Sequence, residues 1–585
     1  MLSPFQCVKC LLLFCCMASI NATMKGGNIT NDPVINIPGF GLIAGIVSQR
    51  YPDVDVFYNI PFALPPVGDL RWKKPAPHGP MKKSRNCKTP GPICLQPGKM
   101  LGTFDKHDLN RPYMANMPMS EDCLTLNIAT SRNMINRGST NARPVMVWLH
   151  GGGFSVGSGA NYPLDALVST AAHSVLAVTI NYRLGVFGFL GSSALAARSG
   201  GQTGNYGIDD QRLALKWVNQ HISAFGGDAS SITIWGESAG GTSVIAHLVE
   251  PASYTGDGFG LYHRAIIQSG TSNSYVQLAD AERAFQLVIN ATDCLNTSDP
   301  VRCLVKLDAL SVAAAYPDIT KGVMPGPVID GIALPADAYE LIKAGRFNKA
   351  AAIVIGHNRE EFAAFLPGLL PTAQADTFTE EDFDAALRLA ATVITKGAPL
   401  NVSSLARVKQ LYNNNTFPFP PFGQRSFWWW AAAAAASDIE MNLGHCTVRR
   451  IARWIAAANP DTFAYVFEHA TQRDYTDESR NGWDLRKTAN MSMPGNIVCS
   501  HSMEIDYTFG DTKGVTPGDE AHLAWTMSQF WVQFAKFGKP PRAWPSYDAD
   551  TDAMLHFDII PSGGTRVQKR YLNAQCDFWD TARTG

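Results

Sequence analysis

Short apolar runs recur along the chain with little polar alternation: VMVWL at 145–149, VLAVTI at 175–180, ITIW at 232–235, AIIQ at 265–268 and AAIVI at 351–355. Runs of this length, rich in Val and Ile, fit strands buried on both faces of a sheet. Between them the spacing changes. In DDQRLALKWVNQHI, which begins at Asp209, residues Leu213, Trp217 and His221 fall four apart, the repeat of one helix face. Strands alternating with such helices predict an α/β fold whose central sheet is mostly parallel and covered by helices on both faces. The most apolar later stretch, FWWWAAAAAA at 427–436, is too short to span a bilayer and reads as a packed helix start. No internal repeat, long charge block or Gly-Ser linker marks a domain boundary.

At the N-terminus Lys9 precedes CLLLFCCMA, and Ala18 and Ala22 offer small-residue cleavage sites. This predicts a secretory signal peptide over residues 1–22, cleaved between Ala18 and Ala22, which is set aside from the fold. The alternative is an N-terminal core or anchor helix, for which the apolar run is short.

Composition narrows the picture. A length of 585 residues, 46% of them hydrophobic, allows a large core and, on length alone, about three or four domains. The formal charge of -1, without a long Lys/Arg run, argues against a nucleic-acid footprint or an electrostatic membrane anchor, so a small molecule is the expected partner. Nothing in the composition bears on oligomeric state. Of twelve cysteines, Cys7, Cys10, Cys15 and Cys16 lie in the signal segment, leaving Cys87, Cys94, Cys123, Cys294, Cys303, Cys446, Cys499 and Cys576. An even count in an exported chain suits disulfides. Asn28, Asn290, Asn296, Asn401, Asn414 and Asn490 each begin an N-x-S/T sequon. The nine residues after Cys576 are too few for a spacer and a hydrophobic anchor tail, so the expectation is a secreted, extracellular glycoprotein with no integral membrane span.

The spacing G-x-S-x-G, which presents a nucleophilic serine on a sharp strand-to-helix turn, occurs twice, around Ser155 and around Ser238. Ser238 follows the strand-like ITIW and precedes the helix-compatible AGGTSVIAHLVE, whereas Ser155 is followed by Gly157, Gly159 and Pro163, which discourage a helix. Ser238 is therefore the candidate nucleophile and Ser155 the decoy. The stretch His150-Gly151-Gly152-Gly153 suits another task. Acyl transfer builds negative charge on the carbonyl oxygen, and glycines let backbone N–H groups approach it without a Cβ in the way. Gly152 and Gly153, with Ala239 after the nucleophile, are the candidate oxyanion donors. No H-E-x-x-H or clustered His/Cys spacing appears, so the reading needs no metal and no cofactor.

The chain resembles the type-B carboxylesterase and cholinesterase-like family of α/β-hydrolases over nearly its whole mature length. The carrying segments are YNIPFALPPVGDLRWKKP (58–75), SEDCLTLNI (120–128), HGGGF (150–154), NYRLGVFGFL (181–190), GNYGIDDQRLALKWV (204–218), FGGD (225–228), GESAGG (236–241) and CDFW (576–579). The resemblance implies an α/β-hydrolase fold over one catalytic domain, residues 23–585, in place of the several domains that length allows. It implies a serine carboxylic-ester hydrolase acting on a small-molecule or lipid ester. GHNREEF at 356–362 resembles the family's acid segment and places Glu361 as the catalytic acid, with the equivalent carboxyl of Glu360 beside it and Phe362 where the family has glycine. HSMEIDYTFG at 501–510 resembles the form H-G-x-E-I-x-x-x-F-G and gives His501 as the base. The order Ser238, Glu361, His501 is that of an α/β-hydrolase triad. With an ordinary histidine pKa, hydrolysis is expected to fall below about pH 6 to 7.

The resemblance also implies the disulfides Cys94–Cys123, Cys294–Cys303 and Cys446–Cys576. Cys87 and Cys499 then either pair with each other or stay free. Glu237 beside the nucleophile and Tyr113 are the candidate pocket residues; Tyr113 stands where cholinesterases carry a tryptophan for a quaternary ammonium, which disfavours a dedicated choline esterase. Met100, Leu101, Phe104, Met114, Met117 and Met119, between Cys94 and Cys123, either line a gorge or meet lipid, so a lipase or cholesterol-esterase-like enzyme is the alternative. A non-catalytic adhesion or binding ectodomain of the same fold is the alternative of another class.

Overall fold

A computed structural model describes residues 32–96, 117–132, 134, 142–256, 258, 260–270, 275–316, 324–370, 373, 376–394, 402–413, 415, 426–439, 443–470, 499–512 and 515–581. The signal segment and Tyr113 lie outside these residues.

All five apolar runs are strands of one sheet. Its members in chain order are β1 (Ile46–Val47), β2 (Val54–Pro61), β3 (Thr125–Ser131), β4 (Arg143–Leu149), β5 (Leu176–Ile180), β6 (Gly227–Glu237), β7 (Arg264–Gln268), β8 (Ala352–Asn358), β9 (Thr462–Phe467), β10 (Met554–Phe557) and β11 (Arg566–Gln568). They lie side by side in the order β11-β10-β9-β8-β7-β6-β4-β5-β3-β2-β1. Every pair from β10 to β5 is parallel, and antiparallel strands finish both edges.

Residue alternation sends side chains to opposite faces. Val145, Val147 and Leu149 of β4 join one buried apolar cluster, while Met146 and Trp148 join another on the far side. Ile353 and Ile355 against Ala352 and Val354 divide β8 in the same way. Each buried Val, Leu or Ile contributes about 1.5–3 kcal/mol. With both faces covered, the strand ends become the accessible places for chemistry.

The helix predicted from Asp209 runs over Tyr206–His221 (α1), burying Ala214, Trp217 and Val218. Asp210 of α1 receives Arg183 in a buried pair, Arg183 Nε donating at 2.8 Å and Nη2 at 2.7 Å. The run at 427 is the helix Phe427–Asp438 (α3), buried from Trp429 onward in a third cluster that includes Phe362. Among the described residues no helix is long and apolar enough to cross a membrane. Disulfides join Cys94 to Cys123, Cys294 to Cys303 and Cys446 to Cys576. Cys87 and Cys499 are separate buried thiols.

Candidate active site

Strand β6 ends at Glu237 and the helix Ala239–Val249 (α2) begins two residues later, leaving Ser238 alone in the turn. Its backbone has φ 58° and ψ −122°, sparsely populated for a residue with a Cβ. The flanking glycines explain how so tight a turn packs. A Cβ on Gly236 would lie 2.6 Å from both the Gly240 backbone and the Leu149 carbonyl, and one on Gly240 would lie 1.9 Å from that carbonyl. Ser155 sits in a turn that no helix directly follows, the next being a short 3-10 turn at Gly159–Asn161, and its hydroxyl turns back to the Gly153 carbonyl at 3.2 Å.

The glycine loop follows β4. Gly152 and Gly153 adopt φ of 105° and 58°, a region where glycine carries no steric cost. Among the described residues, the N–H groups of Gly152, Gly153 and Ala239 donate to no protein acceptor. The loop is braced from two sides. Gln96 closes a pair of hydrogen bonds on Gly157, accepting from its N–H at 2.8 Å and donating to its carbonyl at 3.0 Å. His150 stacks on Tyr182 with ring centroids 4.3 Å apart; burial pushes its pKa down to about 4, so it is a neutral support.

The structure brings Glu361, and not Glu360, to His501. Glu361 Oε2 faces His501 Nδ1 at 2.6 Å. Its other oxygen accepts from Ser269 Oγ at 2.5 Å and from the Asn358 N–H at 2.6 Å. Glu360 turns away to pair with Arg359 and to accept from the Cys499 N–H. Phe362 is accommodated by α3, whose Ser437 hydroxyl accepts its N–H at 2.9 Å. Phe365 sets its ring 5.3 Å from the imidazole.

Glu237 lies closer to the chemistry than its sequence position alone indicates. Its Oε1 is 3.2 Å from His501 Nε2, so carboxylates flank both imidazole nitrogens. Ser502 donates to the same oxygen at 2.6 Å. A third buried carboxyl, Glu504, accepts from Gln268 at 3.0 Å and from Asn358 at 2.6 Å. Burial disfavours the imidazolium, but Glu237 and then Glu361 outweigh it and hold the His501 pKa up at about 9. Burial, against the pull of His501, raises Glu237 to about 8. The two titrate as a pair, which keeps its proton to higher pH than an isolated histidine does. Ser269 and Gln96 carry no motif signature and are visible only once the fold brings them to the site, and the contact that Ser502 makes with Glu237 is likewise seen only in the fold. Cys499 donates to the Phe467 carbonyl at 2.9 Å, and burial holds its thiol well above the ordinary range, so it is no nucleophile. Among the described residues no three His, Cys, Asp or Glu side chains are placed to hold a metal ion.

A family model described as the carboxylesterase family matches residues 31–579. The medium-chain fatty acyl-CoA hydrolase precursor of Anas platyrhynchos is 29% identical, over 97% of this chain and 96% of that protein. Acetylcholinesterase 1 of Caenorhabditis elegans is 30% identical, over 91% of this chain and 85% of its own. The liver carboxylesterase of Sus scrofa is 29% identical, over 95% and 94%. Among solved structures, Aspergillus niger EstA superposes with a TM-score of 0.72 at 22% identity, over 94% of this chain and 98% of that one.

Proposed function

Because the chain belongs to the carboxylesterase family and is a carboxylic ester hydrolase on the α/β-hydrolase fold, we propose that it works through Ser238, His501 and Glu361 by way of an acyl-enzyme. The observation that carries this reading is the buried His501–Glu361 hydrogen bond of 2.6 Å in a chain whose single strand-to-helix elbow of G-x-S-x-G form presents Ser238. His501 takes the Ser238 proton on Nε2 as Oγ attacks the ester carbonyl, then returns it to the departing alcohol. Glu361 keeps the other proton on Nδ1 and stabilises the imidazolium. The N–H groups of Gly152, Gly153 and Ala239 receive the oxyanion, each worth about 3 kcal/mol by analogy with a well-studied protease, and the N-terminal end of α2 adds its dipole. Water then repeats the sequence on the acyl-serine and releases the acid.

The reading includes secretion after loss of residues 1–22, leaving residues 23–585 as one catalytic domain. Three disulfides and exposed sequon asparagines at 290 and 296 support it. The acyl preference follows from hydrolysis of p-nitrophenyl esters from acetate to palmitate, a long-chain optimum favouring the lipase-like alternative. The nucleophile is tested with a p-nitrophenyl phosphonate, which traps an activated serine. One adduct per chain, on the peptide containing Ser238, is expected; an adduct on Ser155 overturns the assignment.

The flanking carboxylates alter the expected pH dependence. Catalysis needs neutral His501, and a pKa held upward means the imidazolium persists through neutrality. As pH falls through this raised value, kcat/KM is expected to decline. The profile should therefore still be climbing above pH 7, reach half its limit near 9 and flatten only above that, higher than the sequence-based expectation of about 6 to 7. A plateau already complete by about pH 7 would contradict the bracketed histidine.

A further inference from the structure

The segment His501-Ser502-Met503-Glu504 departs from the H-G-x-E form at its second residue, where serine stands in place of glycine. Ser502 nevertheless holds a glycine-like backbone, with φ 69°. Such a conformation persists where surrounding contacts over-determine it, and the contact here is a short one: the Ser502 hydroxyl donates to Glu237 Oε1 at 2.6 Å. That same oxygen lies 3.2 Å from His501 Nε2. The opposite oxygen, Oε2, packs on Gly151 so closely that a Cβ there would stand 2.8 Å away. Glu237 is thus held between the oxyanion loop and the residue after the base.

We propose that Ser502 is a positioning residue, its hydroxyl clamping the Glu237 carboxylate against Nε2 of His501 and so setting the pH at which that nitrogen is free to take the nucleophile's proton. This rests on the serine-esterase reading, because that reading makes Nε2 the base. A hydroxyl donating to a carboxylate favours its charged form, and a carboxylate facing Nε2 favours imidazolium. Without the donor, Glu237 protonates more readily and its hold on the imidazolium weakens. The other groups facing the pair are Glu361 at Nδ1, Glu504, the buried phenols of Tyr162, Tyr182 and Tyr465, and the Phe365 ring. None of them changes with residue 502.

Two substitutions separate the clamp from ordinary packing. Ser502→Gly removes the hydroxyl and relieves the left-handed backbone, whereas Ser502→Ala removes the hydroxyl and keeps the strain, so their thermal midpoints should move apart, glycine above alanine. Their pH behaviour should move together, the acid limb of kcat/KM falling by about half a unit to one unit in both. In a Glu237→Gln background the Ser502→Gly shift should vanish. The same variants are titrated without substrate by NMR of 13Cε1-labelled histidine, the His501 signal being assigned by its loss in His501→Gln. A His501 midpoint unmoved in Ser502→Gly, or a shift surviving in Glu237→Gln, overturns the proposal. Should the wild type hydrolyse no ester, the substrate-free titration still decides the clamp, and the failure belongs to the esterase reading.

Discussion

Ser238→Ala is expected to lower kcat by about 10⁴- to 10⁶-fold while leaving a folded protein. The size follows from what is removed. Without Oγ no acyl-enzyme can form, and the oxyanion donors and binding pocket alone retain only about 10³- to 10⁴-fold over the uncatalysed reaction in comparable triads. Folding should be spared, because Ser238 Oγ forms no hydrogen bond among the described residues and alanine keeps the Cβ already present in the turn. The measurement is steady-state hydrolysis of the best p-nitrophenyl ester beside a thermal melt. Ser155→Ala is the matched control and should retain activity. Equal losses in both variants would place the nucleophile elsewhere.

The second large effect separates neighbouring carboxyls. Glu361→Gln should cost about 10⁴-fold in kcat, the loss seen when a triad acid becomes an amide and the imidazole takes the wrong tautomer. Glu360→Gln should instead act on stability. It removes the charge facing Arg359, whose side chain is largely buried, and breaking such a pair costs about 3 kcal/mol or more. The pattern to look for is an inactive protein with a near-normal melt for residue 361, and an active protein with a lowered melt for residue 360. The opposite pattern would move the acid by one residue.

Why sequence could narrow the acid to two adjacent residues, and no further, is visible in the structure. Both are buried glutamates, and part of what distinguishes them comes from distant chain: Ser269 joins the nearby Asn358 N–H in fixing Glu361 toward the imidazole, while the Cys499 N–H joins the neighbouring Arg359 in drawing Glu360 away. The central strands were legible because burial on both faces demands apolar runs. Strand β3 was less so, since its TLNIATS is entirely buried yet half polar, a pattern made tolerable by Asn127 accepting from the Asn59 N–H and donating to Thr179. The upward shift of His501 had no trace in the sequence. It arises because Glu237 and His501 meet across separate elements, far apart along the chain. Cys87 and Cys499 were open for a related reason, as pairing depends on a distance that spacing does not encode.

The glycines around the elbow divide the GESAG motif into two kinds of information. Gly236 and Gly240 are required by contact between a helix and two strands, so a descendant that had abandoned catalysis would still have to retain them in order to fold. Ser238 is under no such obligation. In a mutational scan scored only for folded protein, the outer positions should be as intolerant as core residues while the central one accepts small replacements. On the proposed mechanism, variation at residue 238 would record loss of chemistry, and variation at residues 236 and 240 loss of structure.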